Sequence, residues 1–242
     1  MAVDEALLRL PESGWTLRLY GWKSPTVSLG YGQPLARGVD EARARELGVG
    51  VVRRLTGGRA VLHDAEITYA IAAPADEGAL AGGISLSYRR IAQGLQAGLA
   101  SLGVDAHVER TGAASAPSSK GPCFSARTRY ELSAGGRKLA GSAQRRADGR
   151  LLQHGSLLLR APSRRLWSAL GVGYEAAADV SVGLDELVAV PPSRRALAAS
   201  LSRGIADALG LSPKKARLSS RERRTARRLE SRYLDTGWTR RR

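Results

Sequence analysis

Cysteine occurs once among the 242 residues, as Cys123, so no internal disulfide can form. A chain of this length can bury a substantial core without such staples. Cys123 is therefore either an inert buried residue or a reactive thiol. Histidine is scarce as well, and His63, His107 and His154 show no metal-ligand spacing among themselves or with the cysteine. No apolar run approaches the roughly 20 residues of a membrane span. The start, MAVDEALLRLPESGW, is acidic early and does not read as a signal peptide. These absences predict a cytoplasmic chain with no metal site. The phosphate-loop patterns GxGxxG and GxxxxGK[ST] are missing. So is the GxSxG elbow of a Ser-His-Asp hydrolase. No internal repeat is present.

Positive charge is abundant. Lysine and arginine total 38 against 22 acidic residues, a net charge of +16. Residues 213–242 hold 12 of those cations against 3 acids, which leaves +7 for the first 212 residues. Such a charge attracts nucleic acid, or an acidic protein partner through the same field. The SPKK stretch near residue 213 is the best boundary. It divides a body over 1–212 from a basic helical C-terminal segment over 213–242.

The pattern of elements is interleaved. MAVDEALLRLPESG reads as a short amphipathic helix, WTLRLYGW and PTVSLGYGQ as strands, and GVDEARARELG as a helix with an aspartate cap. VGVVRRL and EITYAIAAP are strands, with RRLTGGRAVLHD as the loop between them. SLSYRRIAQGLQAGLASLG is the clearest helix, and AHVER is a strand. TGAASAPSSKGPC is a loop of small residues. RYELSAGGRKLAGSAQRRADGRLLQHGSLLLR reads as three strands joined by AGG and ADG turns, and the remainder is helical. Hairpins among the later strands predict an α+β fold, a mixed or antiparallel β-sheet flanked by helices, and not a doubly wound parallel sheet.

Three stretches can carry chemistry. In RRLTGGRAVLHD, Gly57-Gly58 lets a ligand approach the backbone, while Arg53, Arg54 and Arg59 supply charge and a His63–Asp64 pair holds the end. A tight hairpin with exposed arginines fits the same residues. In GRKLAGSAQRR, Lys138 is a compact point charge suited to polarising one carbonyl oxygen, followed by Gly141, Ser142, Ala143 and Gln144. A surface hairpin lysine is the alternative. In GPCFSARTRYEL, Cys123 has cations nearby at Lys120, Arg127 and Arg129, which lower a thiol pKa. A small buried residue fits that position too.

RRLTGGRAVLHDAEITYA resembles the signature of the lipoate–protein ligase, octanoyltransferase and biotin ligase superfamily, on its lipoyl side. MAVDEALL, LRLYGWKSPTVSLGYGQ, CFSARTRYEL, GRKLAGSAQRRADGRLLQHGSLLL and the late RYLDTGW resemble the same family in the same order. The GRGR run of biotin ligases is absent. The chain is most similar to the cysteine-dependent octanoyltransferases that look like lipoate ligases but use no ATP. The resemblance implies the biotin/lipoate protein ligase catalytic-domain fold. It implies transfer of octanoate from acyl carrier protein to a lysine of a lipoyl domain, such as the glycine cleavage H protein. It implies catalytic roles for Cys123 and Lys138 and no cofactor. It also implies that substrate is bound by Arg53, Arg54, Thr56, Gly57, Gly58, Arg59, Ala60, Val61, His63, Gly141, Ser142, Ala143, Gln144, His154 and Gly155.

Three rival readings stand beside this one. An ATP- and Mg²⁺-dependent lipoate–protein ligase would share the loop and Lys138. An amidotransferase would move octanoyl groups between two lipoyl domains by the same cysteine chemistry. A basic nucleic-acid-binding protein would use the arginine-rich C-terminus, with a steep salt dependence. The resemblance implies no membrane and no specific nucleic acid as partner.

Overall fold

The computed structural model describes residues 1–109, 130–171 and 178–241. Nine strands form two sheets. Strands β1 (Thr16–Tyr20), β2 (Thr26–Leu29), β3 (Gly50–Arg53), β4 (Val61–His63) and β5 (Glu66–Pro74) come first. They are followed by β6 (His107–Val108), β7 (Leu132–Ala134), β8 (Arg137–Ala147) and β9 (Arg150–Leu158). The larger sheet has the order β1-β5-β9-β8-β7-β6 and is antiparallel throughout. The smaller has the order β3-β2-β4, with β2 parallel to β3 and antiparallel to β4. The expected mixture of directions thus resides in the small sheet alone. VLH, which reads as loop in the sequence, is β4. Three residues are too few to show an alternation.

The two central strands of the large sheet, β5 and β9, are buried almost from end to end. Strands covered on both faces lose the in–out polarity alternation. Opposed residues share a face. Ile67 with Leu157, Ile71 with Gln153 and Ala73 with Leu151 face one way. Glu66 with Leu158, Thr68 with Ser156, Ala70 with His154 and Ala72 with Leu152 face the other. The first face packs under helices Ile84–Ala100 and Arg194–Leu209, whose Ile91, Leu95, Leu99, Leu197, Leu201 and Ile205 complete the main core. The second face carries the polar residues and meets the N-terminal helix Ala2–Arg9 through Leu7 and Leu8. The small sheet has its own core of Val27, Leu29, Leu62, Trp167 and Leu170.

Local signals act as the sequence suggests. Asp40 caps the helix Glu41–Glu46 by accepting from the Arg43 N–H at 2.9 Å. The β8–β9 hairpin turns on Asp148 and Gly149, both at positive φ, the geometry of a primed two-residue turn. Helix Ser220–Leu234 opens with a Ser219–Glu222 capping box. It lies against the N-terminal helix, where Arg232 and the Tyr233 hydroxyl each reach Glu5 at 2.6 Å. Beyond it, helix Thr236–Arg240 presents the Thr239 carbonyl to Arg53. Among the described residues, no helix is long and apolar enough to cross a membrane.

The two core helices touch through glycines. A Cβ on Gly98 would lie 2.8 Å from the Ser200 carbonyl oxygen and 2.9 Å from the Leu201 Cα. Both are backbone atoms and cannot swing aside. Gly98→Ala is therefore expected to destabilise the protein, although alanine gains about 1 kcal/mol of helix propensity. Overpacking a core costs about 1–3 kcal/mol, which exceeds that gain. A urea midpoint raised by the substitution would contradict this packing.

Candidate functional site

The glycine loop is shaped by two arginines that serve the backbone. Arg53, fully buried, donates to the carbonyls of Gly30 at 2.7 Å, Gln33 at 2.6 Å and Thr239 at 2.8 Å. Arg54 donates to the carbonyls of Ser28 and Arg59 at 2.7 Å and of Gly57 at 2.8 Å. A guanidinium with five donors in a fixed fork suits such carbonyl-rich turns. Gly58 sits at φ 89° against Gly30, where any Cβ would overlap the Gly58 carbonyl. The two segments meet backbone to backbone and roof a narrow pocket between the sheets.

That pocket spans about 410 Å³ with its open mouth. Of the residues singled out in the sequence, Arg54, Gly58, Val61, His63, Gly141, Ser142, Ala143, His154 and Gly155 line it. The lining is mostly apolar. Gly57 is exposed, and Ala60 belongs to the small-sheet core. Arg53 does not reach the lining, and Arg59 has one terminal nitrogen buried without a hydrogen-bond partner. Gln144 faces the helices, where it bonds Gln153 at 2.8 Å and Ser87 at 3.0 Å.

His63 does not pair with Asp64. Its Nδ1 lies 2.9 Å from Glu66 Oε1 and its Nε2 lies 2.7 Å from Ser28 Oγ. Arg54 donates to the same serine oxygen at 3.2 Å. The network balances when Ser28 donates to Nε2 and Nδ1–H donates to Glu66. Glu66 is wholly buried and also accepts from Thr68 and Ser156. Trp22 stacks on the imidazole with ring centres 4.2 Å apart, and its indole N–H donates to Thr68 at 3.0 Å. Ser28, Glu66, Thr68, Ser156 and Trp22 escape sequence reasoning. They gather from three strands and a loop with no shared motif.

A second buried pair stands beside the first. Thr56 Oγ1 is 2.6 Å from His154 Nε2. His154 Nδ1 is 3.7 Å from Asp4 Oδ2, within ion-pair range but too far for a hydrogen bond. Asp4 accepts from the Tyr20 hydroxyl at 2.8 Å and from Arg18. Burial alone would raise the Asp4 carboxyl. His154 and the cations around it, Arg18 among them, outweigh that and hold it well below the usual carboxylate range. Burial pushes the His154 imidazole down against the pull of Asp4.

Lys138 is re-aimed by an irregularity in the sheet. Leu132 pairs with Ala140 and Ser133 with Lys138, so Leu139 is the extra residue. Leu139 and Ala140 both enter the helix-side core. The alternation slips there and sets Lys138 on the opposite face, with Gly141 and Ala143 of the pocket. Lys138 is fully buried and pairs with Glu131 at 2.7 Å. Cys123 lies outside the described residues, as does the TGAASAPSSKGPC loop.

The His154 environment fixes a pH response. An unfolded imidazole takes a proton near pH 6.5, whereas the buried one takes it at lower pH. The unfolded state then binds more protons, so stability falls as pH drops below about 6.5. The slope is at most about 1.4 kcal/mol per pH unit. Asp4 acts in a separate window, below about pH 4. His154→Gln is expected to flatten the upper window in urea titrations between pH 7 and 5.5. An unchanged slope would contradict the assignment.

Comparison with known proteins agrees with this geometry. The model of the lipoyl protein ligase A/B catalytic domain matches residues 1–188. The chain is 41% identical to an octanoyltransferase LipM of Kyrpidia tusciae, over 98% of this chain and 92% of that one. It is 38% identical to an octanoyltransferase LipM of Symbiobacterium thermophilum, with the same coverage. Among solved structures, a lipoate-protein ligase A bound with ATP superposes with a TM-score of 0.83 at 25% identity, covering 98% of this chain and 91% of that one. A putative lipoate protein ligase from T. acidophilum with bound lipoic acid shares the fold, with a TM-score of 0.83 at 23% identity, covering 99% and 91%. The chain belongs to the lipoyl protein ligase A/B catalytic-domain family.

Proposed function

We propose that this chain is an octanoyltransferase of protein lipoylation. It carries octanoate from acyl carrier protein to a lysine of a lipoyl domain, such as the glycine cleavage H protein, through a thioester on Cys123. The observation that carries the reading is the placement of Lys138. It is buried on β8 three residues before Gly141, on the strand face that the bulge makes common to Gly141 and Ala143, although it is not itself among the lining residues. The octanoyltransferase relatives, which match nearly the whole chain, support the acyl group and the reaction.

The chemistry balances without a cofactor. The Cys123 thiolate attacks the donor thioester carbonyl. The bond from acyl carbon to pantetheine sulfur breaks, and that sulfur leaves and takes a proton. The acceptor amine then attacks the same carbon, an amide bond forms, and Cys123 leaves as thiolate while the amine gives up its proton. Thioester to amide runs downhill, so ATP is not consumed. Lys138 stabilises the oxyanion in both steps. Arg54 and the hydrogen-bonded Ser28–His63–Glu66 chain keep the pocket walls rigid and the acyl chain away from bulk water.

Intact-protein mass spectrometry after mixing with octanoyl acyl carrier protein, without ATP, tests the reading. An octanoyl adduct is expected in the wild type and absent in Cys123→Ala. Lys138→Met combined with Glu131→Leu removes both charges of the buried pair and is expected to slow acylation by about 10²–10³. No adduct, with transfer appearing only on addition of free acid, ATP and Mg²⁺, would make the protein a ligase instead.

A further inference from the structure

Two arginines converge at the edge of the pocket with no acid between them. Arg145 follows Ala143 by two residues on β8, so it continues the pocket face outward by roughly 7 Å. Its guanidinium lies 4.9 Å from the centre of the Tyr31 ring and donates to the Leu55 carbonyl at 3.3 Å. Arg241 lies 4.0 Å from the same ring and 3.9 Å from that of Trp238, and donates to the Tyr31 carbonyl at 2.9 Å. Tyr31 is joined to the roof of the pocket, since its N–H donates to Thr56 at 2.8 Å and its neighbour Gly30 bears on Gly58.

The cations nearby are differently placed. Arg232, over the Trp238 ring at 4.9 Å, has Glu5 at 2.6 Å, and Arg240 has Glu41. Among the described residues neither Arg145 nor Arg241 has a carboxylate within ion-pair range. The Nε of Arg241 is buried with no hydrogen-bond partner. A hydrogen bond from Arg241 and its positive charge, then the same two effects of Arg145, pull the Tyr31 phenol below its ordinary pKa. Like charges sharing one ring repel. Aromatic stacking nonetheless holds both in place. An arrangement of this kind is preorganised for a phosphate-type anion, which guanidinium forks match in geometry.

We propose that Arg145 and Arg241, held against Tyr31 and Trp238, form an anion site that takes the phosphate of the donor's phosphopantetheine arm. The proposal rests on the reading of a pantetheine thioester as donor. The thioester end would enter the pocket while the phosphate end, at the far end of the arm, stays at its rim. This gives the C-terminal segment a binding role through a residue that follows its last helix.

The test titrates 4′-phosphopantetheine and pantetheine into the full chain by calorimetry, so it reads binding whether or not Cys123 is acylated. The wild type is expected to bind the phosphorylated compound about tenfold or more tightly than pantetheine. Arg145→Gln and Arg241→Gln are expected to reduce that ratio to about twofold or less, with pantetheine binding and thermal midpoint unchanged. Arg145→Lys, which keeps the charge, should retain part of the preference. Equal wild-type affinity for the two compounds would overturn the site, as would a preference surviving both Gln substitutions. Failure of the donor reading would show separately, as a phosphate preference in a protein that forms no octanoyl adduct.

Discussion

The pocket exists because one buried carboxylate joins two sheets. Glu66 begins β5 of the large sheet and accepts from Ser156 on β9 beside it. Through His63 on β4 and Ser28 on β2, the same carboxylate reaches the small sheet. An isolated buried charge would be untenable, and removing one partner of such a set typically costs about 3–5 kcal/mol. Here the donors around Glu66 come from both sheets. Satisfying the carboxylate therefore fixes the spacing between them. The apolar space is lined by Gly58, Val61, Gly141 and Ala143, and by His63, Ser28 and Arg54 of this network.

The second constraint is closeness of backbone. Gly30 against Gly58 brings the β2 and β3 exits into contact, and Arg53 and Arg54 absorb the carbonyls that the turns leave facing inward. Arg53 extends this economy to the far end of the chain, because the Thr239 carbonyl is one of its acceptors and its own carbonyl accepts from the Trp238 indole at 2.9 Å. The C-terminal segment thus reaches the roof of the pocket through Trp238 and Thr239. Its charge and the pocket's shape are linked through the same residues.

Much of the fold was readable from local signals. The AGG and ADG turns located β8 and β9, and the glycine-ended apolar period located helix Ile84–Ala100. Most of the pocket lining was also visible as motif, from Arg54 to Gly155. What was hidden is what depends on distant partners. Asp64 adjoins His63 in sequence, yet Glu66 accepts its Nδ1–H because β5 turns that side chain inward. Arg53 and Arg54 look alike in the sequence, but Arg53 ends β3 and Arg54 lies just beyond it, and the two reach different sets of carbonyls. The face of Lys138 follows from the extra residue Leu139, which no single-strand pattern reveals. Asp4 reads as a first-turn helix acid and instead sits buried beside His154.

The central claim is that the pocket lined by Gly58, Val61, Gly141 and Ala143 holds the acyl chain. Ala143→Leu would extend a side chain across that space, and intact-protein mass spectrometry would follow acylation from acetyl, butyryl and octanoyl thioesters. The account predicts that the variant loses the octanoyl adduct but keeps the shorter ones. Equal acylation by octanoyl in variant and wild type, or equal loss at all three chain lengths, would place the acyl chain elsewhere.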